Sequence, residues 1–363
     1  MAGIVPFALG ADTTMPFDYV SMKTIPGYFE AFAETRRLHD HLEKRTPYAF
    51  ATVLNPMQSE IRGHGNENWG RSYLAHVAEM MYRSGLSWRW FHDRHLETLP
   101  DRLAGPLIVP DAHCLTQDQI DAIHQVVARG EGVLWIGGVA TEPWPGSGPA
   151  PIPSRFQAAT FELNLDDNHP LVKNITRPVM LETRVDWSEF EGKTVGRVDG
   201  QPGLVLNDQN NQREAWLSGL PMHTYVRPAD HSQRRIPTGG VELWQRLLIW
   251  LAQRQPLVQL DPYPPPNDYG RTRPWDARDV PTMELLPLHS DNSVLAIIFP
   301  YAPVGFNASL LITPRKGTYV KHIKEIWKGE DLDPQYLHNP LKQVRIPLRV
   351  PANCELLAIL IEF

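Results

Sequence analysis

Cysteine is scarce: Cys114 and Cys354 are the only two among 363 residues, and they stand far apart. That excludes a disulfide framework and a zinc ribbon, and it fits a reducing, cytoplasmic setting. No apolar run is long enough to cross a bilayer. The opening "MAGIVPFALGAD" is apolar, but it has no basic n-region and stops too early for a secretory signal. Lys and Arg total 35 against 41 Asp and Glu, with no cluster of one sign, so the electrostatic footprint of a nucleic-acid binder is missing. The glycine pairs lack the G-x-G-x-x-G and G-x-x-x-x-G-K-[ST] orders that cradle phosphates. No nucleic acid, membrane or cofactor is expected, and no repeat or low-complexity tract is visible.

What is present reads as an ordinary globular protein: 42% hydrophobic and 21% charged residues, with length enough for two or three domains. The 34 prolines and 11 tryptophans imply long shaped loops and ring-lined surfaces. Residues 1–45 hold a strand-like "GIVPFALG" and a helical piece in which Phe29, Phe32, Leu38 and Leu42 recur at helical spacing. A short strand of this kind needs neighbours to satisfy its backbone, and the stretch itself supplies none.

From residue 46 to 256 strands alternate with helices. "YAFATVLN", "LSWRWFHD", the wholly apolar "GPLIVPD" and "GVLWIGG" are strands. "RSYLAHVAEMMYRSG" is an amphipathic helix with Leu74, Val77, Met80 and Met81 inward and Gly85 as its stop. "LTQDQIDAIHQVVARGEG" is a second helix, with Thr116 and Gln119 as a capping box, Ile120, Ile123, Val126 and Val127 as its inner stripe, and Gly130 as its end. "GLVLND", "REAWLSGLP" and the strong helix "GGVELWQRLLIWLAQRQ" complete the set. Such alternation implies a flavodoxin-like parallel sheet with helices on both faces and right-handed crossovers. The pattern changes over residues 257–363, where "TMELLPLH", "SVLAIIFPYA", "ASLLITP", "QVRIPLRV" and "CELLAILIEF" are short strands, as in an antiparallel β-sandwich. One short helix is expected there, near "YVKHIKEIWKG".

Several of these segments together resemble the non-catalytic back half of family-42-type β-galactosidases and related glycoside-hydrolase-like proteins. "GPLIVPDAHCLTQDQIDAIHQVVARGEGVLWIGG" matches the strand–helix–strand unit, and "DDNHPLVKNITRP" the loop after the sheet's far side. "GGVELWQRLLIWLA" matches the closing helix, "CELLAILIEF" the terminal strand, and "GIVPFALG" with its helix the last barrel strand and exit helix. The resemblance implies a fold similar to class I glutamine amidotransferases followed by a small β-sandwich. It also implies a homo-oligomer (a trimer by analogy) or a barrel-bearing subunit as partner. In that family the catalytic carboxylates lie on the barrel, and no Glu or Asp here matches them.

The residues offer few candidates for chemistry. An amidotransferase needs a nucleophile at the turn after its buried strand. After Ile136 this chain has Gly137, Gly138, Val139 and Ala140, so the turn is kept and the nucleophile is missing. Cys114 follows the strand "LIVP" beside His113, near a helix N-terminus that lowers thiol pKa; a packed cysteine is the plainer reading. Glu60, Arg62, His64, Asn66, Glu67 and Trp69 lie in "QSEIRGHGNENWG", past the carboxyl end of a strand, where open α/β sheets bind ligands. Hydroxyl-bonding groups beside an indole suit a carbohydrate. His92 and His95, with Asp93 and Glu97, lack a third ligand at familiar spacing, so no metal is expected. Proline-rich "EPWPGSGPAPIP" and "DPYPPPNDYGRTRPW" are read as extended segments. The leading expectation is a catalytically silent support or oligomerisation module. The alternatives are a stand-alone small-molecule hydrolase, or a sugar-binding protein, using loop 58–70.

Overall fold

The computed structural model describes residues 38, 41–42, 45–57, 69–99, 103, 105–110, 112, 115–137, 157–184, 192–209, 212–226, 235–261, 283–300, 306–350 and 356–363. They fall into two compact units. One takes the described residues from Phe50 to Gln255; the other takes those up to Ala49 together with those from Pro256 onward. Strand β1 (Thr46–Pro47) belongs to the second unit.

The first unit is built on a mixed sheet. Its parallel part comprises β2 (Ala51–Asn55), β3 (Trp88–His92), β4 (Leu107–Pro110) and β5 (Val133–Ile136). Between them run helices α1 (Trp69–Ser84) and α2 (Gln117–Ala128). The chain then adds β6 (Gln157–Leu165), β7 (Val179–Arg184), β8 (Lys193–Val198), β9 (Gln201–Gln209) and β10 (Gln212–Leu217). A small ribbon, β11 (Thr224–Val226) with β12 (Arg235–Pro237), precedes helix α3 (Gly240–Ala252). The strand order is β3-β2-β4-β5-β10-β9-β8-β6-β7. Pairing is parallel from β3 through β10 and antiparallel from β10 to β7.

Strand–helix alternation thus describes only the first half of this sheet. "GLVLND" and "REAWLSGLP" form an antiparallel hairpin rather than further crossover units, because no helix lies between β9 and β10 to return the chain. β4 and β5 are buried at every position, as strands covered on both faces must be. Val133 and Trp135 join Leu107, Val109, Ile123 and Val126 in one apolar layer against α2. Alternation then leaves Leu134 and Ile136 for the opposite face. The capping box forms as expected, with the Thr116 Oγ1 accepting from the Gln119 amide and the Gln119 side chain accepting from the Thr116 amide. In α3 the fully buried Leu243, Trp244, Leu247, Leu248 and Leu251 follow helical spacing. The Trp244 indole N–H reaches Met81 Sδ at 3.2 Å, which seats α3 on α1.

The second unit contains β13 (Val258–Asp261), β14 (Met283–His289), β15 (Ser293–Pro300), β16 (Phe306–Ile312) and β17 (His322–Glu325). It also has β18 (Glu330–Asp331), β19 (Gln335–Tyr336), β20 (Val344–Val350) and β21 (Leu357–Glu362). They form two antiparallel sheets, β1-β14-β15-β21-β17-β18 and β13-β16-β20-β19. Every residue of β15 is buried. Leu38 and Leu42, both helical, pack with Leu286, Leu288, Leu295 and Ile297, and β1 pairs with the edge of β14. The stretch "YVKHIKEIWKG" does not make the expected helix. His322 to Glu325 alternate partly buried and buried and pair with β21. The Glu325 carboxylate then accepts from the amides of Trp327 and Lys328, which holds a turn where a helix would have continued. No described helix is long and apolar enough to cross a membrane.

Two glycines separate steric from conformational constraint. Gly200 (φ +80°) follows Asp199 (φ +47°) in the two-residue turn joining β8 and β9, with open space where a Cβ would go. Gly105 (φ +91°) would place a Cβ 1.9 Å from the Phe50 carbonyl oxygen. Gly200→Ala is expected to cost about 1 kcal/mol of stability. Gly105→Ala carries backbone strain and a backbone clash together, and is expected to cost about 3 kcal/mol or more. Urea denaturation of both variants checks the order.

Candidate functional site

The positions that the sequence singled out for chemistry fall mostly outside the described residues. Glu60, Arg62, His64, Asn66 and Glu67 do so, as do His113 and Cys114. Trp69 is the first residue of α1, with its side chain outside what is described. Of the glycine turn, Gly137 is described: its N–H donates to the Leu217 carbonyl, tying the end of β5 to the end of β10. His92 closes β3 and His95 lies in the 3-10 turn Asp93–Thr98, both exposed, while Asp93 between them is buried. Among the described residues no group of three or more His, Cys, Asp or Glu is arranged to hold a metal ion.

The structure instead assembles a cleft of about 330 Å³ that no sequence motif marks. Helix α1 contributes His76, Glu79 and Met80, which share a face because i, i+3 and i+4 coincide on a helix. Strand β7 contributes Glu182. The segment after β10 contributes Leu220 through Tyr225, including His223. Backbone bonds lock these pieces together: the Glu182 amide donates to the Leu220 carbonyl, the Met222 amide to the Met180 carbonyl, and Leu181 bridges Pro221. The segment beyond β10 therefore runs as an extra partner of β7.

The polar groups of the cleft pair across elements. His76 Nδ1 lies 2.5 Å from Glu182 Oε2. Glu79 Oε1 accepts from Arg83 one turn on, at 2.6 Å, and lies 3.6 Å from His223 Nε2. The hydrogen bond to Glu182 raises the His76 imidazole above its ordinary value; burial opposes this, and the charges of Glu182 and Glu79 reinforce it. Burial pushes the Glu79 carboxyl up, but His223, Arg83 and His76 outweigh it and hold Glu79 below the usual range. A more open hollow of about 530 Å³ is lined by His169, Lys193 and Trp250. There burial and Lys193 keep the imidazole of His169 below its ordinary value against the pull of Asp166. It has no comparable pairing of imidazole with carboxylate among the described residues.

The chain is similar to solved glycoside hydrolases. A GH42 β-galactosidase from G. stearothermophilus matches with a TM-score of 0.60 at 10% identity, covering 98% of this chain and 49% of that one. The β-galactosidase from Bacillus circulans sp. alkalophilus matches with a TM-score of 0.59 at 11% identity, covering 93% and 44%. The α-L-fucosidase isoenzyme 2 from Paenibacillus thiaminolyticus gives 0.54 at 11%, covering 93% and 52%. The likeness is one of fold. The chain spans about half the length of these structures, and at that level it has the resemblance to the non-catalytic part of family-42-type β-galactosidases that its sequence carries. No family model matches the chain, and no curated protein matches its sequence.

His76 and Glu182 stand 106 positions apart, so no sequence window holds both. The available signal is "HVAEMMYR", whose His76, Glu79 and Arg83 mark a polar stripe beside the buried Val77, Met80 and Met81. The coupling has a pH signature. His76 faces Glu182 and Glu79, and its folded value is raised. The stabilisation from this pair is therefore complete below the unfolded value of about 6.5 and is lost as pH rises through the folded one. Glu79 acts oppositely: its contribution is present above about 4.3 and is lost as pH falls through its depressed folded value. In an NMR titration, Glu182→Gln is expected to move the His76 midpoint down toward that of a free imidazole. An unchanged midpoint would refute the pairing.

Proposed function

We propose that this chain is a support and oligomerisation module of a β-galactosidase-like glycoside-hydrolase protein in carbohydrate metabolism, and that it carries no glycosidase chemistry of its own. The observation behind this reading is the asymmetry of coverage: almost the whole chain matches, yet it accounts for about half of a GH42 β-galactosidase. In the proposal, residues 1–45 are the exit strand and helix of a barrel, residues 46–256 the amidotransferase-like domain and residues 257–363 the sandwich. The reacting carboxylates belong to a barrel on a longer polypeptide or on a separate subunit, and the setting is the reducing cytoplasm.

Assembly through this module has a physical motive. Among the described residues β3 is the last strand on its side of the sheet, and it carries Trp90, 40% exposed, packed edge-on against Trp88 at 4.8 Å. An open strand edge bearing aromatic surface invites pairing with another copy unless it is covered. The proposal takes such self-association to a trimer.

Two measurements on the purified chain test the reading. Chromogenic galactosides, glucosides and arabinosides are expected to give no turnover, and robust hydrolysis by this chain alone would defeat the proposal. Light scattering is expected to give about three times the 41.2 kDa chain mass, and Trp90→Lys to lower it without lowering thermal stability. A monomer at every concentration would remove the oligomerisation role.

A further inference from the structure

The geometry points to the His76–Glu182–Glu79–His223 cleft as a binding site for one small, neutral, hydroxyl-rich ligand of monosaccharide size. This inference stands on the cleft alone and does not depend on the support role. Its volume of about 330 Å³ lies at the small end of ligand pockets, enough for a single ring and its substituents.

The lining has two characters that such a ligand needs. One side is apolar: Met80 and Leu220 are 2% and 1% exposed, and Pro221 is buried beside them. These form the floor, and the partly exposed Met222 and Tyr225 beside them present CH and ring surface to a ligand. The other side is polar and reachable, since the side chain of His76 is 44% exposed and that of Glu182 33%. Glu182 commits Oε2 to His76, and Glu79 commits Oε1 to Arg83 and His223. A carboxylate has about four lone-pair sites on its two oxygens, so each keeps acceptor capacity for a ligand hydroxyl. The second ring nitrogen of His76, Nε2, and the Tyr225 phenol add hydrogen-bonding groups around the same space.

Charge narrows the class further. Two carboxylates, Glu79 and Glu182, face the space, and Arg83 is already engaged by Glu79 through two nitrogens. Where His76 is neutral, a phosphate or other compact anion entering here would meet both carboxylates with the one nearby guanidinium already paired, whereas a neutral polyol meets none of that repulsion at any protonation state of His76. The site is also held before any ligand arrives. The amides of Glu182, Met222 and Thr238 are bonded to carbonyls of Leu220, Met180 and His223, so the main chain that carries Glu182 and His223 does not have to be ordered on binding.

Calorimetric titration of the full chain with D-galactose, D-glucose, L-arabinose and myo-inositol tests this, with inorganic phosphate as the anionic arm. Saturable heat from at least one neutral polyol, and none from phosphate, is the expected result. Glu182→Gln should weaken that binding about tenfold, as loss of a charged acceptor does. In NMR spectra of the unaltered chain, the same polyol should shift the His76 ring resonance, which keeps the test independent of how the variant folds. Absence of saturable binding by all four polyols would overturn the inference. So would binding of phosphate instead, or polyol binding that leaves the His76 resonance unmoved.

Discussion

Strand β10 is bonded in parallel register to β5 on one side and in antiparallel register to β9 on the other. The character of the whole sheet changes across this one strand. Toward β3 lie crossover units whose strands need helices on both faces. Toward β7 lies a meander closed by short turns such as Asp199–Gly200. Ala215 and Leu217 of β10 are buried, and Leu217 accepts from Gly137 at the end of β5. The direction in which the chain leaves β10 is therefore fixed by core packing, and that exit leads directly into the cleft.

Leaving β10, the chain passes Leu220 to Met222 and pairs with β7, the strand at the far end of the sheet order. Glu182 is thereby presented toward α1, which is itself seated on α3 through Trp244 and Met81. The polar cluster is consequently tertiary in origin: a helix, a strand and a post-strand segment each contribute, and each is anchored by apolar burial or backbone bonding elsewhere. Ion pairs as exposed as that of His76 and Glu182 add little stability by themselves.

Much of the fold was legible because it rests on local periodicity. The Thr116–Gln119 capping box, the inner stripe of α2, the continuous burial of β5 and the terminal strand Leu357–Glu362 all appear where residue spacing puts them. The antiparallel half of the sheet was not legible, because "GLVLND" and "REAWLSGLP" look the same whether the next strand returns by a hairpin or a helix. "YVKHIKEIWKG" misled because Val320, Ile323 and Trp327 fit a helical spacing, whereas the observed strand buries Ile323 with the charged Glu325, and pairing with β21 decided the matter. The cleft was hidden for another reason. Met80 and Met81 drew "HVAEMMYR" into the core, and Glu182 and His223, which meet His76 and Glu79, come from sequence-distant strand and loop positions.

If sheet pairing beyond β10 holds the cleft in place, amide hydrogen exchange of the native chain will register it residue by residue. The amides of Glu182 and Met222, bonded to Leu220 and Met180, are predicted to exchange slowly, in the same class as Ala215 within β10. Exchange of Glu182 and Met222 at the rate of unprotected turn amides, with Ala215 still protected, would show that the cleft is not anchored to the sheet.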